Sequence, residues 1–408
     1  MWLLLFAFLA QPASSQSAAL LDRGNQALDA KNYAQAIELF TQAAAADPKD
    51  FGAEFQLGLT NNLIGKDREA IPHYEKALTL APSLYEARLN LALTLARLQS
   101  PAEAIPHFQA AIATKPKEFR PQYGLAQALL AMKDYPAAET AFVSALTLDG
   151  RSAPAEAGLG MALGRQNKVD QAAQHFQQAF TLDRTYRASF VELALLYEAN
   201  QRTEEAMTFF RMFPDNQVAL THLGALLMQA GDAKGAIAPL ETAVEKFPTV
   251  ENRIALAQAY SADKQLAKAQ AAVAPAVDSS PKDLELRMFY GRLLRDQRKF
   301  GEAAAQFSAV ASADPNSAEA WNEYASVAII AEQYTQGLAA LDKVRAMGQE
   351  SPGNLFYRAL AQDHLQQRPQ AIESYQKFLT AGLGKFPDQE FQARQRVRIL
   401  QVELKKRR

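Results

Sequence analysis

His73, His107 and His175 occupy one register of the chain, separated by 34 and 68 residues. Imidazoles repeated in this way invite a metal or general-base reading. The 408 residues contain five histidines and no cysteine, so a metal site would have to be built from imidazole and carboxylate, and thiol or disulfide chemistry is excluded. Equivalent side chains on stacked helices stand about 10 Å apart, whereas metal ligands must each come within about 2 Å of one ion. The three histidines therefore read as surface residues inherited with a repeat. Gly158, Gly160 and Gly164 in GLGMALG suggest a dinucleotide loop, but a phosphate cradle needs a strand–turn–helix. No strand precedes these glycines, and helix packing explains them better. Arg292, Arg295 and Arg298 in RMFYGRLLRDQRK could grip carboxylate or phosphate through forked hydrogen bonds. Glu285 and Asp296 are near enough to neutralise part of that charge, and a solvated charged helix is the competing reading. No HExxH, GxSxG, Walker-A or EF-hand pattern occurs. Neither an enzyme nor a cofactor is expected.

The elements that would position these residues follow from length and repetition. A single core rarely grows beyond about 250–300 residues, so 408 residues require several domains or a repeat array. With 49% hydrophobic and 21% charged residues and a formal net charge of -1, the chain lacks the cationic excess of a bulk nucleic-acid binder. Ala36, Ala70, Ala104, Ala138, Ala172 and Ala206 share one frame. Phe40, Tyr74, Phe108, Phe142, Phe176 and Phe210 follow four residues later, and Ala43, Ala77, Ala111, Ala145 and Ala179 three after that. Those spacings put alanine, aromatic and alanine on one helical face. Leu57-Gly58, Leu91-Ala92, Leu125-Ala126, Leu159-Gly160 and Leu193-Ala194 mark a helix before it. Pro48, Pro82 and Pro116 stop the second helix. One such hairpin cannot bury its apolar side alone, so neighbours must stack.

This pattern resembles the tetratricopeptide repeat (TPR) family. The resemblance implies an all-α, right-handed solenoid of helix-turn-helix hairpins. Eleven units are expected, starting near Ser17, Phe51, Tyr85, Phe119, Ala153, Arg187, Gln217, Val250, Leu284, Ala318 and Pro352. A charged capping helix closes the array over residues 388–408, with Phe391, Val397, Leu400 and Leu404 on its buried side. Unit six is short because Phe213-Pro214 cuts its second helix. That shortening either marks a bend between arms 16–216 and 217–387 or is a tolerated deletion. Pro72 and Pro106 fall inside second helices and predict kinks there.

The resemblance further implies that first helices line a groove that holds a partner's peptide, with positions five and nine of each unit facing inward. Those positions give Leu21, Phe55, Leu89, Tyr123 and Val191, then Leu59, Leu93, Gln127, Met161 and Leu195, an apolar ladder over the first six units. Either the ladder is a binding surface, with Phe55, Leu59, Leu93 and Tyr123 foremost, or it is consumed between neighbouring units. The clamp by which some family members hold acidic chaperone tails is absent: Asn25 matches it, while Leu21, Gln56 and Glu86 do not.

At the N-terminus, WLLLFAFLA from Trp2 to Ala10 is too short to span a bilayer, which takes about 20 apolar residues. It suits the apolar region of a signal peptide over 1–15, cleaved between Ser15 and Gln16 after Ala13 and Ser15 at the small-residue positions. No Lys or Arg precedes it, which departs from the pattern, and an apolar N-terminal helix is the alternative. With no cysteine after the run, no lipid anchor is expected. Lys405, Lys406, Arg407 and Arg408 suit either a helix C-terminus or acidic lipid. Together these features predict an exported, periplasmic or secreted scaffold with protein partners. The alternatives are a cytoplasmic scaffold and a substrate-selecting, non-catalytic subunit of an enzyme complex.

Overall fold

The computed structural model describes residues 15–406. The apolar run at 2–10 lies outside them, as do Arg407 and Arg408. Among the described residues the chain forms twenty-three α-helices and one short 3₁₀ helix, with no strand. Outside unit six the helices pair as successive hairpins, each second helix packing on its own first helix and on the helix that follows it. First helices begin at Phe51, Tyr85, Phe119, Ala153, Gln217, Val250, Leu284, Ala318 and Pro352, the starts expected from the repeat.

Local chemistry sets these boundaries. Asp50 Oδ1 accepts the Gly52 amide at 2.8 Å and Asp283 Oδ1 that of Leu286 at 2.9 Å, satisfying orphan donors at helix starts. Second helices end at Ala46, Leu80 and Thr114, two residues ahead of Pro48, Pro82 and Pro116. Each hairpin turns through one residue in the left-handed region, among them Lys31, Gly65, Gln99, Lys133, Gly231, Lys264 and Arg298. The helices run unbroken through Pro72 and Pro106.

Packing rests on a small-against-large interlock. The eighth residue of nine of the eleven first helices is glycine or alanine, as at Gly58, Ala92, Ala126, Gly160, Gly224 and Gly291. An added methyl group at Gly58 would lie 2.7 Å from the Tyr74 ring, and one at Gly291 would lie 2.6 Å from Phe307. The aromatics that use this space, Phe40, Tyr74, Phe108, Phe142 and Phe307, are wholly buried. GLGMALG is the same device three times over: Gly158 meets Phe142 of the preceding unit, Gly160 meets Phe176 of its own, and Gly164 meets Leu196 of the next.

Unit six departs from the period. A 3₁₀ turn, Arg184–Ala188, occupies the expected start at Arg187, because Asp183 Oδ1 accepts both the amide and the hydroxyl of Thr185 at 2.8 Å. Its first helix is Ser189–Ala199 and its second, Thr203–Phe210, has 8 residues where the others have 13 or 14. The chain divides into two compact units, up to Phe209 and from Phe210 onward.

The closing helix spans Pro387–Lys406 and buries Ala393 and Leu400, with Val397 partly buried against the same cluster. Phe391 was expected on that side but is exposed. It lies six residues before Val397, about 120° around the helix from it.

Candidate functional site

The ten residues of the predicted ladder separate by burial. Phe55, Leu59, Leu89 and Val191 retain 2, 3, 1 and 8% of their surface. They are spent inside the array, and Phe55 packs with its ring centre 6.0 Å from that of Tyr74. For Phe55 and Leu59 this burial favours the alternative in which the ladder is consumed between neighbouring units. Close approach of neighbouring units, set by the small residues at position eight, seals these side chains in. Leu21, Leu93, Tyr123 and Leu195 stay half-buried, while Gln127 and Met161 are exposed.

Four of these six, Tyr123, Gln127, Met161 and Leu195, lie on the first helices of units four to six. Tyr123 stacks on Phe119 at 5.5 Å and 11°, meets Phe142 edge-on at 6.1 Å, and its hydroxyl accepts from Gln127 Nε2 at 2.7 Å. Burial, helped by the nearby Tyr186, holds the Tyr123 hydroxyl above its ordinary pKa. Beyond it, Met161 and Leu195 edge a notch of about 170 Å³, together with Arg165, Glu192, Leu196 and Ala199 over Phe176. Leu196, part of the lining, packs on Gly164, where an added methyl group would lie 2.4 Å from it. Arg165 and Glu192 were not singled out from the sequence. Arg165 follows Met161 by one helical turn, and that i+4 spacing was the available signal.

The arginines of unit nine are already engaged. Arg292 Nη2 reaches Glu319 at 2.5 Å, and Arg295 Nη1 donates to both Glu323 oxygens at 2.8 and 2.7 Å, while its Nε meets Asp296 at 3.0 Å. The two glutamates stand on the next unit's first helix, Ala318–Ile330. Arg298 stands apart from the other two arginines. The helix ends at Asp296, and Arg298 sits in the turn with φ of 59°. Arg292 and Arg295 therefore form a zwitterionic cluster beside a polar basin of about 490 Å³ lined by Asn322, Glu323, Ser326, Asn354 and Tyr357. Burial raises the Tyr357 hydroxyl's pKa there.

Two of the three repeated histidines pair with acids. His73 Nδ1 lies 2.7 Å from Glu54 and His175 Nδ1 2.6 Å from Glu156. Burial works to raise the Glu54 carboxyl, but hydrogen bonds and charge from His73 and Lys76 outweigh it and leave it below the usual value. In unit three the acid's place is taken by Arg88. There His107 Nδ1 is buried without a hydrogen-bond partner, and burial with the Arg88 charge pushes the imidazole below its ordinary pKa. Among the described residues no cluster could hold a metal ion, and no helix is long and apolar enough to cross a membrane.

Among curated proteins, none matches this sequence. The chain is similar to solved structures of MamA: 21% identity to a form from Desulfovibrio magneticus RS-1, over 43% of this chain and 98% of that one, with a TM-score of 0.41. It is also similar to YrrB, described as a TPR protein with an unusual peptide-binding site, at 16% identity over 44% of this chain and 97% of that one, TM-score 0.41. Models of the tetratricopeptide repeat match residues 21–85, 64–119, 95–159, 157–217, 254–318, 291–354 and 354–381. With hairpins of that kind packed in register and most of its length matched, the chain belongs to the tetratricopeptide repeat family.

Proposed function

We propose that this protein is a non-catalytic interaction scaffold of the bacterial envelope that takes a partner's peptide segment along the first helices of units four to six. The observation that carries this is the run of uncovered side chains there: the Tyr123–Gln127 shelf and the notch edged by Met161 and Leu195. A notch of about 170 Å³ suits one aliphatic side chain of an extended or helical segment. Arg165 and Glu192 at its rim offer the segment both signs of charge. The apolar run before Gln16 supports export, with cleavage after Ser15. Terminal sequencing of protein secreted by the native host tests that step, and a mature chain retaining Trp2 would place the scaffold in the cytoplasm instead.

Capture of partner proteins by the immobilised chain tests the surface. Met161→Asp with Leu195→Asp changes one exposed and one half-buried side chain, and circular dichroism establishes that the double variant is folded. Loss of about tenfold or more in affinity for a captured partner is expected, since burying two charges against an apolar segment costs more than about 1.4 kcal/mol. Undiminished capture by the folded variant would remove the site from these helices.

A further inference from the structure

We propose that the outer face of the closing helix, Pro387–Lys406, is a contact surface for anionic lipid headgroups. Three of the most exposed large apolar side chains among the described residues lie in this part of the chain: Leu383 at 72%, Phe391 at 67% and Val402 at 52%. Phe391 and Val402 are eleven residues apart, which brings them within about 20° on one helix face, roughly 16 Å apart along the axis. Exposed Ile399 flanks them, and Ala393 and Leu400 hold the opposite face against unit eleven.

Charge is sorted across the same helix. Residues 387–408 hold seven cations against three acids. Two of the acids are engaged: Glu390 accepts from Arg394 at 2.9 Å and Glu403 from Arg368 at 2.8 Å. Arg396 is turned to Asp363, with both nitrogens bonded at 2.7 and 2.8 Å. Arg398 and Lys405 are exposed beside the apolar stripe, and Asp388 is exposed at the far, N-terminal end. The outward field is therefore positive where Val402 stands. A convex stripe of a few side chains is far below the roughly 1,600 Å² that a stable protein interface buries. It fits shallow insertion at the headgroup level, where apolar side chains enter and flanking cations meet phosphates.

Flotation of the full chain on vesicles tests this, using phosphatidylcholine alone and phosphatidylcholine mixed equally with phosphatidylglycerol. The apolar run at 2–10 is common to every variant, so the gain on adding phosphatidylglycerol is the quantity compared. Arg398→Glu with Lys405→Glu is expected to cut that gain about tenfold or more. Phe391→Ser with Val402→Ser is expected to cut it similarly, with unchanged circular dichroism because both side chains are exposed. Raised salt must weaken the wild-type gain. Absence of any gain with phosphatidylglycerol overturns the proposal, and so does a gain that survives in both folded variants. A concentration-dependent dimer that Phe391→Ser with Val402→Ser dissolves, without vesicle binding, would assign the stripe to a second copy of the chain.

Discussion

Gly158 has no room for a methyl group: its Cβ would lie 2.3 Å from Cζ of the buried Phe142 ring. Gly158→Ala therefore sets a helix-propensity gain of about 1 kcal/mol against overpacking of about 1–3 kcal/mol, for a net loss near 1 kcal/mol in urea unfolding. Gly301→Ala meets nothing within 4 Å and should be neutral or stabilising. Pairing of histidine with acid gives a second residue-scale test. His107, lowered from 6.5 beside Arg88, binds fewer protons in the folded chain than in the unfolded one. Its contribution is fully present above pH 6.5 and is lost as pH falls through the depressed folded value. Nuclear magnetic resonance titration should find His107 titrating below 6.5, and Arg88→Glu, which restores the acid of the equivalent position, should move it upward. No change on that substitution would mean that burial alone sets the value. The histidine register was legible in the sequence, whereas the acids were not. Glu54 and Glu156 lie on the preceding helix, 19 residues from their partners, a separation with no meaning until the hairpin is folded.

At the scale of the element, one left-handed residue closes each hairpin, glycine at Gly65 and Gly231 and a polar side chain elsewhere. Nothing lies within 4 Å of a Cβ built on Gly65, so Gly65→Ala isolates the backbone term and should cost about 1 kcal/mol in urea unfolding. A neutral result would mean that the turn relaxes to another conformation. Helix starts were readable because a fixed interval samples the same pattern many times, and an error in one unit is corrected by its neighbours. Phe391 was misplaced because the closing helix has no second copy to compare with. Its apolar residues lie on two faces, and spacing alone could not say which face docks. The partners of Arg292 and Arg295 were not legible for a related reason. Their principal partners, Glu319 and Glu323, belong to the next helix, 27 and 28 residues on.

Across the whole molecule, stability accrues from each hairpin and its neighbours rather than from one central core. Phe307→Ala empties a wholly buried position in unit nine and should cost about 3–5 kcal/mol. Hydrogen exchange should show lost protection in units eight to ten first, fading with distance along the array. Uniform loss at every helix would contradict nearest-neighbour coupling. The same architecture explains why the fold was more legible than the site. Equivalent positions of successive units differ in burial, which the repeat pattern alone does not record. Leu59 and Met161 share position nine of their units, yet one is sealed and the other open.

The left-handed turns also bear on how a protease would dismantle the chain. Lys31, Lys133, Lys264 and Arg298 stand at exposed hairpin tips, where backbone bends outward and trypsin cuts after such side chains. Lys31 and Lys133 are three periods apart, and Lys264 and Arg298 one period apart. Brief digestion should therefore yield fragments whose masses step in multiples of one hairpin, so that gel bands register the periodicity of the fold.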